Sequence, residues 1–345
     1  MKLFALVKKK IIEILFVAAV VLLAANLLIA KYLMEPVRYK RNLQTISPVQ
    51  INQIFFDDLD AFALHRDWIK KFDPVKGDNS ALTYSVDIPK DLPIPVVLKE
   101  IYESFYDKNV RLRTVEKILG GKTQLSIYLD NNLKLKAIFN YNEKLKREGK
   151  NIGLLIEGMD ELNAGKLDYL VKFPQAYAAL LVPSKASARL ADTLTNYRKE
   201  YAVLLNDDIN DMDYKLRGGF SPLRIKSALR TTMGAYPKAL FYVIDDKSKL
   251  YNSTAFYLIK QQLQNRNILL LKLRVFKSVS GSGNSVLRSD FKMLLLNKSV
   301  KSTEFILVPA DDFNVLQPQI FSYIKIGYKF VNPSLILASL NGKKN

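Results

Sequence analysis

From Leu82 onward the chain carries two hydrophobic rhythms in succession. The runs LTYSVDIP (82–89), TQLSIYLD (123–130) and LKLKAIFNYN (133–142) place apolar side chains at every second position, the pattern of a strand with one buried face. Asn131-Asn132 between the last two predicts a tight hairpin turn. After Pro93 and Pro95, VVLKEIYESFYDK has helical spacing, so residues 82–142 predict a small α+β domain, followed by a solvated linker, EKLKREGK, at 143–150. The second rhythm begins at Asn151. Short continuous apolar runs (IGLLIEG, AYAALLVP, YAVLLND, ALFYVIDD, NILLLKL, EFILVPADD, YKFVNPS) alternate with segments of helical length such as SKASARLADTLTNYRKE. Continuous apolar strands separated by helices predict a parallel sheet covered by helices. About seven strands, with no Gly-rich turn after the first, favour a distorted (β/α) barrel over 151–340 rather than an open dinucleotide-binding sheet.

The N-terminal region follows neither rhythm. Ile11–Ala30 is a 20-residue run interrupted only by Glu13 and Asn26, the length that spans a hydrocarbon core, and it predicts an uncleaved transmembrane signal anchor. Lys8, Lys9 and Lys10 abut it, which favours a cytoplasmic tail at 1–10 and the bulk of the chain outside the cytoplasmic (inner) membrane, in the periplasm. Residues 31–81, with Pro36, Pro48 and Pro74, are expected to form a connector.

Composition narrows the chemistry. The 345 residues include no Cys and one His, His65, which excludes thiolate metal sites, disulfides, Cys nucleophiles and any multi-His metal centre. The 52 Lys+Arg against 33 Asp+Glu give a formal charge of +19, suited to a polyanionic neighbour: nucleic acid, an anionic membrane or an acidic wall polymer. Part of that excess lies in 251–300, where eight Lys+Arg face one acid, Asp290. This segment is either a solvated basic face or a docking surface. NDDINDMD (206–213) lacks the Gly and closing Glu of a calcium loop, and SVSGSGNS (278–285) lacks the Gly-Lys-Ser/Thr ending of a phosphate loop.

Residues 151–340 resemble the divergent polysaccharide deacetylase family, metal-dependent carbohydrate deacetylases built on a distorted (β/α) barrel. IGLLIEGMD (152–160) matches the family's first strand and its paired aspartates, and FPQAYAALLVP (173–183) keeps the length and both outer prolines of the next motif. AVLLNDDIN (202–210), VIDDKS (243–248) and YKFVNPS (328–334) fall where the family has later strand ends. The resemblance implies an Asp and two His around a divalent metal that polarises an acetyl carbonyl and activates water. Matched residue by residue, the paired aspartates become Glu157 and Gly158, the two histidines become Asn206 and Asp245, a later Asp-Ser becomes Lys272 and Leu273, and a Gly-His-Pro falls near Val308–Asp311.

Acids remain at the strand ends: Glu157, Asp160, Asp207, Asp208, Asp245, Asp246, Asp311 and Asp312. Either they form a carboxylate pocket for acid–base work or a hard cation, or they cap helices and start loops. The candidate catalytic residues are Glu157, Asp160 and Asp245; the candidate binding residues are Asn206, Asp208, Asp246, Lys272 and Asp311. The expected protein is a membrane-anchored envelope pseudoenzyme that binds or scaffolds, with no cofactor, against cell-wall glycan or within an envelope complex. The alternative is an active deacetylase using a divalent metal in a carboxylate-only site formed by Glu157, Asp160, Asp208 and Asp245. An exported domain argues against nucleic acid.

Overall fold

A computed structural model describes residues 43–72, 81–296 and 303–341. The predicted span Ile11–Ala30 and the tail before it lie outside these residues. Among the described residues, no helix is long and apolar enough to cross a membrane.

Residues 43–142 fold as one α+β unit. Helix α1 (Pro48–Asp60) starts at a capping box, in which Ser47 Oγ accepts from the Gln50 N–H and Gln50 Oε1 accepts from the Ser47 N–H. It packs with α2 (Ile94–Ser104) over a sheet of β1 (Ile69–Phe72), β2 (Leu82–Pro89), β3 (Arg111–Glu116), β4 (Thr123–Leu129) and β5 (Asn132–Asn142). The order is β1-β2-β5-β4-β3, antiparallel except for the parallel pair β2 and β5. Alternation puts Val86, Ile88, Leu125, Ile127, Leu135 and Phe139 into the core beneath Ile51, Phe55 and Ile101. The opposite face carries Arg111, Arg113, Gln124, Ser126 and Lys136. Two expectations are corrected. Residues 43–72, assigned to a connector, supply α1 and β1 to this domain, because Ile51, Phe55, Leu59, Phe62 and Leu64 have their apolar partners in its core. The β4–β5 turn lies one residue earlier than Asn131-Asn132: Asp130 and Asn131 take the two left-handed conformations, φ +50° and +63°.

Residues 151–341 form a curled parallel α/β half-barrel. Its strands are β6 (Asn151–Glu157), β7 (Ala178–Leu181), β8 (Glu200–Leu205), β9 (Tyr242–Ile244), β10 (Leu270–Lys272), β11 (Lys277–Ser278) and β12 (Thr303–Pro309), in the order β10-β9-β8-β7-β6-β12-β11, all parallel. A short β13 (Lys329–Phe330) pairs with the start of β6. Helices α3 (Ala164–Lys172), α4 (Lys185–Asn196), α5 (Pro222–Ala235), α6 (Thr254–Gln264), α7 (Asn284–Leu296) and α8 (Phe313–Lys325) connect the strands, and α9 (Pro333–Asn341) ends the described chain.

Chain connectivity forces the curl. Seven strands laid flat place the two edges about 29 Å apart. Yet β10 and β11 are the edges, and Lys272 and Lys277 are separated by a single 3-10 turn, Leu273–Val275, which reaches at most about 18 Å. Phe241, Phe276 and Phe305 fill the closing seam, with ring centroids 5.6–6.4 Å apart. The sheet therefore has an inner row (Leu155, Leu180, Ala202, Phe241, Val243, Phe305, Leu307) and an outer row facing the helices (Leu154, Ile156, Ala179, Leu181, Val203, Ile244, Ile306, Val308). Ile336 of α9 plugs the base. Gly153 makes room for it, because a Cβ there would lie 2.7 Å from Ile336 Cδ1 and 2.9 Å from the Phe305 ring.

The two units meet at the N-terminal ends of the barrel strands. Arg147 of the linker, whose side chain is 5% exposed, donates from Nε and Nη2 to Asp91 (3.1 and 2.7 Å) and from Nη1 to the Lys325 carbonyl at 2.6 Å. Lys325 in turn pairs with Glu100 at 2.6 Å and lies over the Phe62 ring. Gly149 passes so close to the turn before β13 that a Cβ would sit 1.8 Å from the Gly327 oxygen.

Candidate functional site

The inner rows end at the mouth of the barrel, and period-two alternation decides which strand-end residues reach it. On β6, Gly153 and Leu155 face inward, so Glu157 continues the row; on β8, Ala202 and Leu204 lead to Asn206; on β9, Phe241 and Val243 lead to Asp245. These three stand where the sequence resemblance placed an acid and two imidazoles. Glu157 is half-buried, and burial raises its carboxyl above the ordinary glutamate value. The Asn206 Oδ1 is buried with no hydrogen-bond partner among the described residues. Asp245 is already engaged: its Oδ1 accepts the Lys247 N–H at 2.9 Å, and its carbonyl accepts from Ser248 Oγ at 2.6 Å.

After Glu157 the chain turns through Gly158, whose φ of +73° suits glycine, and Met159 anchors the turn in the core. This leaves a cleft of about 320 Å³ lined by Glu157, Asp160, Glu161, Leu180, Val182 and Asp311, among others. A second cleft, of about 480 Å³, opens beyond β8 and β9 between Asp207, Asp208, Asp245 and four cations: Lys215, Arg217, Lys247 and Lys249. The cations escaped the sequence reading, although the signal was present. Tyr214 and Leu216 are buried on either side of Lys215, as are Ser248 and Leu250 on either side of Lys249, so each loop is pinned by alternate residues and presents its cations outward.

Several predicted site residues do other work. Lys272 leaves the mouth, because Leu271 and Leu273 hold the inner row and send it to the helix side, where its Nζ lies 4.9 Å from the Tyr251 ring centroid. Asp246 accepts the Arg274 N–H at 3.1 Å and faces its guanidinium at 3.5 Å, tying the end of β9 to the turn after β10. Asp311 is exposed and paired with Lys166 at 2.6 Å. Helix capping does not explain the acids either. Asn163, Ser184 and Ser221 cap α3, α4 and α5, while Asp312 precedes α8 without a side-chain cap bond.

Among the described residues, no three His, Cys, Asp or Glu side chains gather around a point that an ion could occupy. Asp160 lines the first cleft and Asp208 the second, so the four acids of a carboxylate-only site are divided. His65 is exposed in the small domain, against Trp68 at 5.1 Å between ring centroids.

No family model and no curated protein matches the sequence. Solved structures do. The chain is similar to a CE4 family pseudoenzyme from Bacillus anthracis (13% identity, covering 63% of this chain and 84% of that one, TM-score 0.39). It is similar to a Streptococcus mutans CE4 esterase (16% identity, 54% and 87% covered, TM-score 0.39). A third is the catalytic domain of a peptidoglycan N-acetylglucosamine deacetylase from Eubacterium rectale (11% identity, 55% and 92% covered, TM-score 0.39). Residues 151–341 themselves carry a curled parallel half-barrel, consistent with the (β/α) barrel that the sequence resemblance implied.

Proposed function

We propose that the protein is a membrane-anchored component of the cell envelope whose deacetylase-like barrel binds or scaffolds a glycan, or a partner in an envelope complex, without hydrolysing it and without a cofactor. One observation carries this reading: the inner-row positions at the mouth hold Glu157, Asn206 and Asp245, with no imidazole among them. A carboxylate, an amide and a second carboxylate already bonded to its own loop offer oxygen donors alone, without the two imidazole nitrogens that the family resemblance implies. The second cleft, beyond β8 and β9, is lined by charged side chains and Ser248, groups that can hydrogen-bond a hydroxyl-rich ligand.

A single assay separates this reading from residual catalysis. Purified protein is offered acetylated chito-oligosaccharides and peptidoglycan across a series of divalent metals, with binding and acetate release both measured. Binding without acetate release is expected. Metal-dependent acetate release that disappears in Asp245→Ala would overturn the proposal and make the barrel an active hydrolase. Reporter fusions after residue 40 and at the C-terminus test the proposed orientation, with both expected to report the periplasm.

A further inference from the structure

The turn between β3 and β4 (Lys117–Lys122) is built with care and points apolar residues at water. Leu119 is 92% exposed and Ile118 61%, while the turn beneath them is held by hydrogen bonds. The Lys117 and Ile118 N–H groups donate to the Lys122 carbonyl (2.7 and 3.2 Å), the Gly121 N–H to the Ile118 carbonyl (2.9 Å), and the Gly120 N–H to the Glu116 carboxylate (2.7 Å). Gly120 supplies the left-handed residue that the turn needs, φ +65°. A tip held this firmly keeps two large aliphatic side chains from folding back onto the sheet.

Its surroundings are cationic. Lys117 and Lys122 flank the tip, and Arg111 and Arg113 are exposed along β3, the edge strand. Arg113 pairs across the sheet with Ser126, and Ser126 with Lys136, so the positive charge extends over the face outside the core. None of these five cations is in an ion pair among the described residues. Edge cations discourage strand-to-strand aggregation, but they do not call for an apolar tip. An apolar tip flanked by Lys117 and Lys122, with Arg113 and Arg111 behind it along the edge strand and the Glu116 carboxylate occupied by the Gly120 N–H, matches the chemistry of an anionic bilayer surface.

The path of the chain brings such a surface within reach. Gln44 pairs with Asp107 and Asn109 just before β3, so the chain enters the domain at one end of that strand. Twelve residues lie between Ala30 and Leu43, a reach of up to about 45 Å, against about 20 Å for the length of β3. We propose that Ile118 and Leu119 insert at the interface of an anionic lipid bilayer, with Arg111, Arg113, Lys117 and Lys122 against its headgroups. The inference rests on the proposed anchoring only for which bilayer lies nearby.

The absence of Cys makes the test direct. The full chain carrying Leu119→Cys is labelled with an environment-sensitive fluorophore. It is then mixed with vesicles of phosphatidylcholine, alone or with phosphatidylglycerol, containing a lipid-borne quencher. A Leu223→Cys label, on an 81% exposed residue in the first turn of α5, is the control. Quenching and a blue shift at position 119 with phosphatidylglycerol are expected, severalfold weaker after Lys117→Glu with Lys122→Glu, and absent at position 223. Equal signals at the two positions, or quenching at 119 that is unchanged by lipid charge and by the charge reversals, would overturn it. Flotation with neutral vesicles separately reads the Ile11–Ala30 anchor, so failure of one is distinguishable from failure of the other.

Discussion

Asp58 is a carboxylate placed where the fold disfavours its charge. It is 7% exposed beneath α2; Oδ1 accepts from Ser104 Oγ at 2.7 Å, and Oδ2 has no partner. Burial raises its pKa from 3.8 to about 6, with Glu100 and Asp57 adding to the rise, while Ser104 and Lys325 oppose it. Because the folded value lies above the unfolded one, the group's contribution is fully present below about pH 3.8 and is lost as pH rises through about 6. Asp58→Asn is therefore expected to raise stability above pH 6 by on the order of 1–3 kcal/mol and to change it little at pH 4. Chemical denaturation of both proteins at pH 4 and pH 8 checks the sign. At the mouth, the same scale explains what the sequence made legible. Glu157, Asn206 and Asp245 were singled out through the family resemblance, and in the structure each continues an inward-facing row; Lys272, matched in the same way, falls on the other face because a one-residue difference in register moves a side chain across the sheet. The opposing cations lie on loops pinned by Tyr214, Leu216 and Leu250; the alternation Tyr214-Lys215-Leu216-Arg217 is present in the sequence, but which cleft it faces is set by tertiary packing.

Among the elements, those buried on both faces were the easiest to read. IGLLI, AALL and YAVLL carry nearly continuous apolar runs, as a covered parallel sheet requires. Strands β1 and β3 were missed because they are edges of an antiparallel sheet with few buried positions, and β11 because it is two residues long and exists only by pairing with β12. The base of the barrel was equally hidden: nothing local indicates that Gly153 must admit Ile336 from a helix more than 180 residues further along. Gly153→Val is expected to overpack this contact and lower stability by roughly 1–3 kcal/mol. Adding Ile336→Ala should recover part of the loss. A double-mutant cycle on unfolding free energies measures the coupling, and strict additivity would mean that the two positions do not compete for space.

At the scale of the molecule, Arg147 joins linker, small domain and barrel through one guanidinium. Removing it leaves Asp91 and the Lys325 carbonyl without their shared donor, and because Asp91 stays in contact with water the cost is about 1–3 kcal/mol. Arg147→Ala is expected to loosen the seam and raise tryptic cleavage at Lys144 and Lys146 at least tenfold, a comparison that limited proteolysis makes directly. Unchanged cleavage would place the coupling elsewhere, in the Lys325–Glu100 pair or the Gly149–Gly327 contact.

The same seam settles the outline of the mouth. Since the small domain docks at the N-terminal ends of the strands, its described residues cast no roof over the C-terminal ends, where both clefts open. Under the proposed glycan-binding role, a polymer would cross that end broadside, and recognition would address the middle of a long chain without requiring a free terminus to be threaded.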